Sequence, residues 1–285
     1  MTYQNADLHC HSVVSDGTLE PEALAARAKA NGVDLWSLTD HDEIGGQARA
    51  IAAAHEQGMA YLTGTEISIT FLNITVHMVG LGFDADNETL RSGLWRTRNG
   101  REARARDMAA QLLEVGIPGA YEGALKFVGN PELISRTHFA RFLVESGVCS
   151  STNEVFSRFL TEGKPGYVEH RWAALGEAVR WVRDAGGVAV LAHPARYKLT
   201  PNERYALFND FKSHGGQGVE VVTGSHTAAE AIEYAAIAQE FGLMGSRGSD
   251  FHSPTEGNAD LGSLPPLPAT LTPIWAALQD RIHLP

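Results

Sequence analysis

The chain has 285 residues, 44% of them apolar, and a formal net charge of −11 at pH 7. That apolar content excludes a disordered chain, and the length slightly exceeds what one hydrophobic core usually fills, so one large domain with an insertion, or two unequal domains, is expected. The acidic balance offers no surface for duplex DNA, although a few local cations or metal ions can reverse the field within a cleft.

The chain begins with "DLHCHSVVSDG", residues 7–17, in which His9 and His11 stand two apart. Residues two apart share one face of a strand, so both imidazoles can meet one ion, while Cys10 points the other way as a small buried residue. "PEALAARAKANG" predicts a helix with Pro21 in its first turn and Gly32 just past its end. "VDLWSLTDHD" predicts a buried strand over 33–39 leading to a polar tip with His41. A second helix, "GGQARAIAAAHEQG", ends near Gly58. "MAYLTGTEIS" and "ITVHMVGLGFD" predict antiparallel strands joined around Leu72–Asn73 and carrying Glu66 and His77.

Residues 99–168 break this rhythm with "REARARDMAAQLLEVG", "SRTHFARFLVESG" and "TNEVFSRFLTEG", which read as helices without an intervening strand. After them strands and helices alternate again: "LGEAVRWVRDAGG" (helix), "VAVLAHP" (strand, His193), "NERYALFNDFKSHGG" (helix), "GVEVVTG" (strand), "TAAEAIEYAAIAQEFG" (helix) and "LMGSRGSDFHS", with Asp250 and His252. The proline-rich "GSLPPLPATLTP" reads as an ordered surface tail. The expected architecture is α/β, a closed or nearly closed parallel barrel from residues 1–98 and 169–285, with 99–168 as a helical insertion packed over its mouth. Cys10 and Cys149 form no CxxC pair, no apolar run approaches the roughly 18–20 residues of a bilayer span, and residues 1–11 lack signal-peptide regions, so a cytoplasmic location is expected.

Every such strand delivers a polar residue at its end, and strand ends gather at one rim of a barrel. His9, His11, Asp16, His41, Glu66, His77, His193, Asp250 and His252 therefore converge as candidate ligands. A set of imidazoles and carboxylates without thiolate suits Zn²⁺, Mn²⁺ or Fe²⁺. Nine ligands exceed the needs of one ion, which implies two or three, with Glu66 as a natural bridge. Such ions make hydroxide available at neutral pH and screen phosphoryl oxygens, so phosphoester hydrolysis by a metal-bridging hydroxide is expected. Asp250, His193 and His252 are the candidates for assisting proton transfer. Asp7, Asp40 and Asp42 stand beside ligand positions and read as residues that orient an imidazole or cap a turn.

The segments "DLHCHSVVSDG", "LTDHD", "GTEIS", "LAHP" and "GSDFH", in this order, resemble the polymerase and histidinol phosphatase (PHP) family of metal-dependent phosphoesterases. The resemblance implies a distorted (β/α)7 barrel and a cluster of usually three ions, manganese foremost, with zinc or iron as alternatives. It implies one ion on His9, His11, Glu66 and Asp250, a second on Glu66, His77 and His193, and a third on Asp16, His41 and His252. Some relatives carry histidine where this chain has Asp16.

Substrate contacts are expected from the insertion and from loops at the rim. Ser135, Arg136 and His138 lie at a predicted helix N-terminus, where backbone N–H groups attract phosphate. Lys164, Arg196 and His226 complete the candidate set. In "RTRNGREARARD", Arg96, Arg98, Arg101, Arg104 and Arg106 alternate with acids and read mostly as a solvated helix face. The pattern "SRTHFARFLVESG…F…FLTEGKPGYV" is similar to one PHP subgroup, the 3',5'-nucleotide bisphosphate phosphatases and related 5'-to-3' exoribonucleases. That implies a small nucleotide with two phosphates, cleaved at the 3' position, with the 5'-phosphate held by Arg136, Lys164 and their neighbours. Short 5'-phosphorylated RNA is the nearest alternative and histidinol phosphate a weaker one; neither a membrane nor stable duplex DNA is expected as a partner. A polymerase-associated module and a non-hydrolytic metal-binding regulator are the readings from other classes.

Overall fold

The computed structural model describes residues 3–257 and 259–285. β1 (Ala6–Asp7) is followed by α1 (Pro21–Ala30), whose first turn is set by Pro21 and whose end is released by Gly32 at φ +79°. β2 (Leu35–Trp36), α2 (Gln47–Glu56) and β3 (Ala60–Tyr61) come next, and β1, β2 and β3 pair in parallel in that order. The predicted strand over 33–39 is regular only at Leu35–Trp36. Beyond Trp36, Ser37 N still donates to Asp7 O and Thr39 N to Cys10 O, while the Thr39 hydroxyl accepts from Cys10 N and donates to Cys10 O.

β4 (Gly64–Phe71) and β5 (Ile74–Leu81) form the expected antiparallel hairpin. Leu72 and Asn73 take φ +46° and +66°, the left-handed pair that a tight two-residue turn requires. α3 (Glu88–Arg98) then leads into the helical segment: α4 (Arg101–Glu114), α5 (Ala120–Leu125), α6 (Arg136–Glu145) and α7 (Thr152–Val155), the last running into a π-helical turn at Phe156–Leu160. β6 (Ala173–Ala174), α8 (Leu175–Asp184), β7 (Val188–Leu191), α9 (Pro201–Ser213), β8 (Gly218–Thr223), α10 (Ala228–Phe241) and β9 (Met244–Gly248) complete the alternation.

The second sheet runs β6-β4-β5-β7-β8-β9. Both neighbours of β5 are antiparallel to it, and the remaining pairings in the sheet are parallel. The class is α/β, as the sequence reading expects. Backbone bonds join the two sheets at both seams. On one side Leu8 N donates to Arg247 O, His11 N to Phe251 O and Asp250 N to His9 O. On the other Glu66 N donates to Thr39 O and Asp42 N to Glu66 O. The segments that carry the candidate ligands are therefore the same segments that hold the seams together.

Beneath the rim, Ile67, Val76, Met78, Leu191, Phe208 and Val221 form the largest apolar cluster. The proline-rich stretch lies mostly on the surface as expected, but the chain after it does not. Ile274, Trp275 and Leu278 are buried against Leu8, Leu62 and Val190, and Tyr61 and His283 exchange two backbone bonds. Once proline has ended the tail, burying these three apolar side chains is worth several kcal/mol.

The helical segment has its own core of Met108, Leu112, Phe139, Leu143 and Leu160, and no strand lies among its residues. It is pinned to the rim at separate loops. Arg141 grips Glu256 with two nitrogens at 3.0 and 2.7 Å, and Arg101 pairs with Asp42. Gly129 lies so close to Val13 O that a Cβ there would sit 2.3 Å from it.

Candidate metal centre

Seven of the nine predicted side chains come from the segments that follow strands, while Glu66 and His77 lie inside β4 and β5, and the seams bring all nine together. His9, His11, Glu66 and Asp250 offer ligand atoms that all lie within 4.8 Å of one another. So do His11, Asp16, His41 and His252, and so do His41, Glu66 and His77. Glu66 is the hub. Its Oε1 lies 2.9 Å from both His77 Nδ1 and His193 Nε2, and its Oε2 lies 3.0–3.3 Å from His41, His11 and His9. His193 thus reaches the cluster through the same oxygen as His77, while His41 stands between the Asp16 group and the Glu66 group.

Among the described residues, ten buried side-chain polar atoms lack a hydrogen-bond partner, and five of them belong here: His11 Nδ1, Asp16 Oδ1, His41 Nδ1, Glu66 Oε2 and His77 Nδ1. Orphaned buried nitrogen and oxygen atoms are costly, and a cluster of them converging on one volume is what a cation would satisfy. The electrostatics agree. Burial opposes ionisation of Glu66, yet His77, His41 and His9 hold its carboxyl well below the usual range. Asp250 and Asp16 are likewise held down against burial by neighbouring histidines. Burial and then Arg196 push His193 down to about 4, keeping its imidazole neutral and able to ligate. The donor set fits divalent metal ions.

The sequence reading missed the residue that holds two of these histidines. Glu220 in β8 accepts from His9 Nδ1 at 2.8 Å and from His193 N at 2.7 Å. A carboxylate on the far nitrogen of an imidazole fixes the ring and raises its basicity as a ligand. The signal was present, since Glu220 is a lone acid in the apolar strand "GVEVVTG" and is 1% exposed. Tyr197 acts beside it: its hydroxyl lies 3.2 Å from His193 Nδ1, donates to Ala192 O and accepts from His77 N. The neighbouring acids cap turns instead. Asp7 accepts from Ser249 N and Gly262 N, Asp40 from Ser12 and Ser15, and Asp42 from Ser68 and Arg101. Cys10 faces away, with Trp36 Nε1 donating to its sulfur at 3.2 Å.

Above the cluster is a pocket whose roof is Arg101, Arg104, Ser135, Arg136, Phe156 and Trp172, with Arg196 at the side. Ser135 donates to Asp16 Oδ2 at 3.1 Å. Three predicted substrate residues are not in this lining. His138 is fully buried, and its Nδ1 accepts from Ser135 N to cap α6. His226 packs inward, bonded to Val221 O and Ala195 N. Lys164 is exposed, because Gly163 and the turn that follows carry it outward.

The solvated-face reading also fails for two arginines. Arg101 and Arg104 are 5% and 8% exposed, and Trp172 lies 4.7 and 5.3 Å from their guanidinium carbons. They share the buried stripe of α4 with Ala105, Met108 and Leu112, a three-and-four spacing that the sequence already displays. Arg106, paired with Glu102, is on the solvated face as expected. Arg104 and Arg136 have no carboxylate partner among the described residues. Burial, then the charges of Arg136 and Arg101, push Arg104 down to about 9. A larger cavity, about 540 Å³ between α2 and α3, holds none of the converging groups and is not the chemical site.

These features define an α/β protein with a histidine–carboxylate centre for divalent ions at its strand ends, roofed by buried arginines. The PHP domain pattern matches residues 7–122. The chain is 48% identical, over 99% of both chains, to a 3',5'-nucleoside bisphosphate phosphatase of Chromobacterium violaceum. It is 40% identical to a 5'-3' exoribonuclease of Haemophilus influenzae, over 94% of this chain and 97% of that one. A solved Chromobacterium violaceum structure, described as an amidohydrolase with bound sulfate and no metal, superposes with a TM-score of 0.96 over 98% of each chain at 48% identity. A Bifidobacterium adolescentis structure described as a metal-dependent phosphoesterase gives 0.82 over 96% of each at 28% identity. The chain belongs to the PHP family, and it is a hydrolase. No helix among the described residues is long and apolar enough to cross a membrane.

Proposed function

We propose that this enzyme removes the 3'-phosphate of nucleoside 3',5'-bisphosphates. The observation that carries the reading is the pairing of a divalent-ion cluster with buried Arg104 and half-buried Arg136, neither of which has a carboxylate partner among the described residues. Buried unpaired cations are expensive, and an anion held beside the cluster repays that cost. The name and 48% identity of the Chromobacterium relative support the same substrate class.

In this reading His9, His11, Glu66 and Asp250 hold one ion, Glu66, His77 and His193 a second, and Asp16, His41 and His252 a third, with manganese foremost. When bound, such ions supply hydroxide at neutral pH and screen the phosphoryl oxygens. The chain's own residues do the rest. Arg104 and Arg136, with Arg101 beside them, bind the 5'-phosphate and so set how far the 3'-phosphate reaches. Arg196, whose Nη1 contacts Asp250 Oδ2 at 2.6 Å, is placed to meet the phosphate being cleaved. Asp250, His193 and His252 are the groups at hand to carry a proton. Residues 99–168 serve as the substrate-binding cap.

The test compares a nucleoside 3',5'-bisphosphate with the corresponding 3'-monophosphate, with Mn²⁺ supplied and with exhaustive chelation as control. A kcat/KM at least tenfold higher for the bisphosphate, abolished by chelation, is expected. Equal values would remove the 5'-phosphate site, and full activity after chelation would remove the ions. The 40% identity to an exoribonuclease favours a second reading on the same site, hydrolysis of short 5'-phosphorylated RNA, and an RNA arm in the same assay measures it.

A further inference from the structure

The pocket over the metal cluster is small, about 100 Å³, and its lining is dominated by charge and imidazole. It suits phosphates better than a nucleobase. A second cavity, about 310 Å³, opens from it and shares Thr137, Phe156, Arg196, Asp250 and His252 with it. The cavities between α2 and α3 and against α9 and α10 share no residue with the metal pocket.

Away from the shared wall, the described residues of the second cavity carry no free charge. Thr152, Asn153, Gly224, Ser225 and Ser249 supply small or neutral surfaces, and the one acid there, Glu256, is held by both nitrogens of Arg141. Gly224 keeps the floor low, since a Cβ there would sit 2.3 Å from Ser249 O. Phe156 is the aromatic ring common to both cavities, and Arg136 stands over it at 5.8 Å. Phe156 also opens the π-helical turn, a wide turn that recurs at functional sites. Asn153 is exposed, and its carboxamide makes no hydrogen bond among the described residues.

We infer that this second cavity holds the nucleobase of the substrate, with Phe156 as the stacking surface and Asn153 as an edge contact. A base is flat, neutral and edged with donors and acceptors, which matches the rings of Phe156 and Phe251, a free amide and a neutral floor. An inorganic or sugar phosphate would find no cation here beyond Arg196. The inference rests on the proposed nucleotide reading. It applies equally to a free bisphosphate and to the first nucleotide of an RNA, because both carry a base on the nucleotide whose 5'-phosphate enters the arginine roof.

The experiment uses the Mn²⁺-loaded enzyme and compares kcat/KM for the four nucleoside 3',5'-bisphosphates with that for the abasic ribose 3,5-bisphosphate. Base-bearing substrates are expected to be faster by about ten- to a hundredfold, the range that one stacked base supplies. Phe156→Ala should bring that ratio to within a fewfold of one. Asn153→Ala, at an exposed position that does not hold the fold, should compress the differences among the four bases. Equal rates with and without a base in the unmodified enzyme would overturn the base site while leaving the bisphosphatase reading intact. A base ratio unaltered by either substitution would overturn it too. If no nucleoside bisphosphate is hydrolysed while other phosphoesters are, the functional reading fails and the base site falls with it.

Discussion

The floor and the roof of the site are built from different materials. Floor residues such as His9, His11, Glu66 and Asp250 have short side chains on strand ends, and backbone bonds across the sheet seams fix them directly. Roof residues Arg101, Arg104 and Arg136 have long side chains on two helices of a segment with its own small core. Their places depend on packing against Trp172 and Phe156 and on the contact between Arg101 and Asp42. The contrast assigns separate duties. Changes to the floor should alter ion affinity, and changes to the roof should alter the choice of substrate while the ions stay bound.

The largest effect that sharpens this division is expected from Glu220→Gln. The amide keeps the size of the side chain but cannot accept from both His9 Nδ1 and His193 N as a carboxylate does. Ion affinity should fall by about ten- to a hundredfold, the usual loss when a residue that orients a ligating histidine is removed. Ion titration by calorimetry measures it. Unchanged affinity with reduced activity would show that Glu220 does not act through the ions, and would break the division on the floor side.

The same contrast explains what the sequence disclosed. A period of two and a repeated polar residue after successive strands sufficed to pick out His9, His11, His41, His193, Asp250 and His252, because topology gathers strand ends; Glu66 and His77 were picked out with them although they lie inside β4 and β5. The place of the hairpin turn, around Leu72–Asn73, was legible for a similar reason, being local, and its left-handed backbone is what the structure adds. Glu220 escaped notice because the apolar run "GVEVVTG" around it shows no other polar motif, and an acid there carries no sign of which imidazole it will meet. Arg101 and Arg104 were read as solvated because their neighbours in sequence are charged, although their spacing to Met108 and Leu112 gave the buried stripe. Lys164 and His226 were chosen by proximity in sequence to motifs, and proximity does not fix direction: one points to solvent and the other packs inward. The burial of Ile274, Trp275 and Leu278 depends on contacts with the first strands, far away in sequence.

On the roof, Arg104→Met keeps the apolar stem against Trp172 and removes the charge. We expect kcat/KM for the 3',5'-bisphosphate to fall about tenfold, carried mainly by KM, the loss appropriate to one hydrogen bond to a charged group. The 3'-monophosphate should be nearly unaffected, and ion affinity should stay as it was. Steady-state kinetics on the two substrates, with ion titration alongside, checks all three. Weaker ion binding would mean that floor and roof are not separable at Arg104.

The effect most remote from the chemistry, read in stability and not in ion affinity or turnover, concerns how the roof is fastened. His138 is fully buried, and its Nδ1 accepts from Ser135 N at 3.0 Å, a capping box with imidazole where glutamate or glutamine is usual. Burial pushes it down to about 4; Arg141 and Arg101 push the same way, and Asp16 opposes them. The unfolded chain, with an ordinary histidine near 6.5, then binds a proton that the folded chain refuses. The resulting stability is complete above about pH 6.5 and lost as pH falls toward 4, by up to about 3 kcal/mol. His138→Gln keeps an acceptor for Ser135 N and does not titrate. Urea unfolding from pH 7.5 to 4.5 should give the two proteins nearly equal stability at the upper end. At the lower end the variant should hold more of it, with the ion ligands titrating alike in both and cancelling in the difference. Parallel acid limbs would place the proton uptake elsewhere and leave the imidazole cap without influence on the roof.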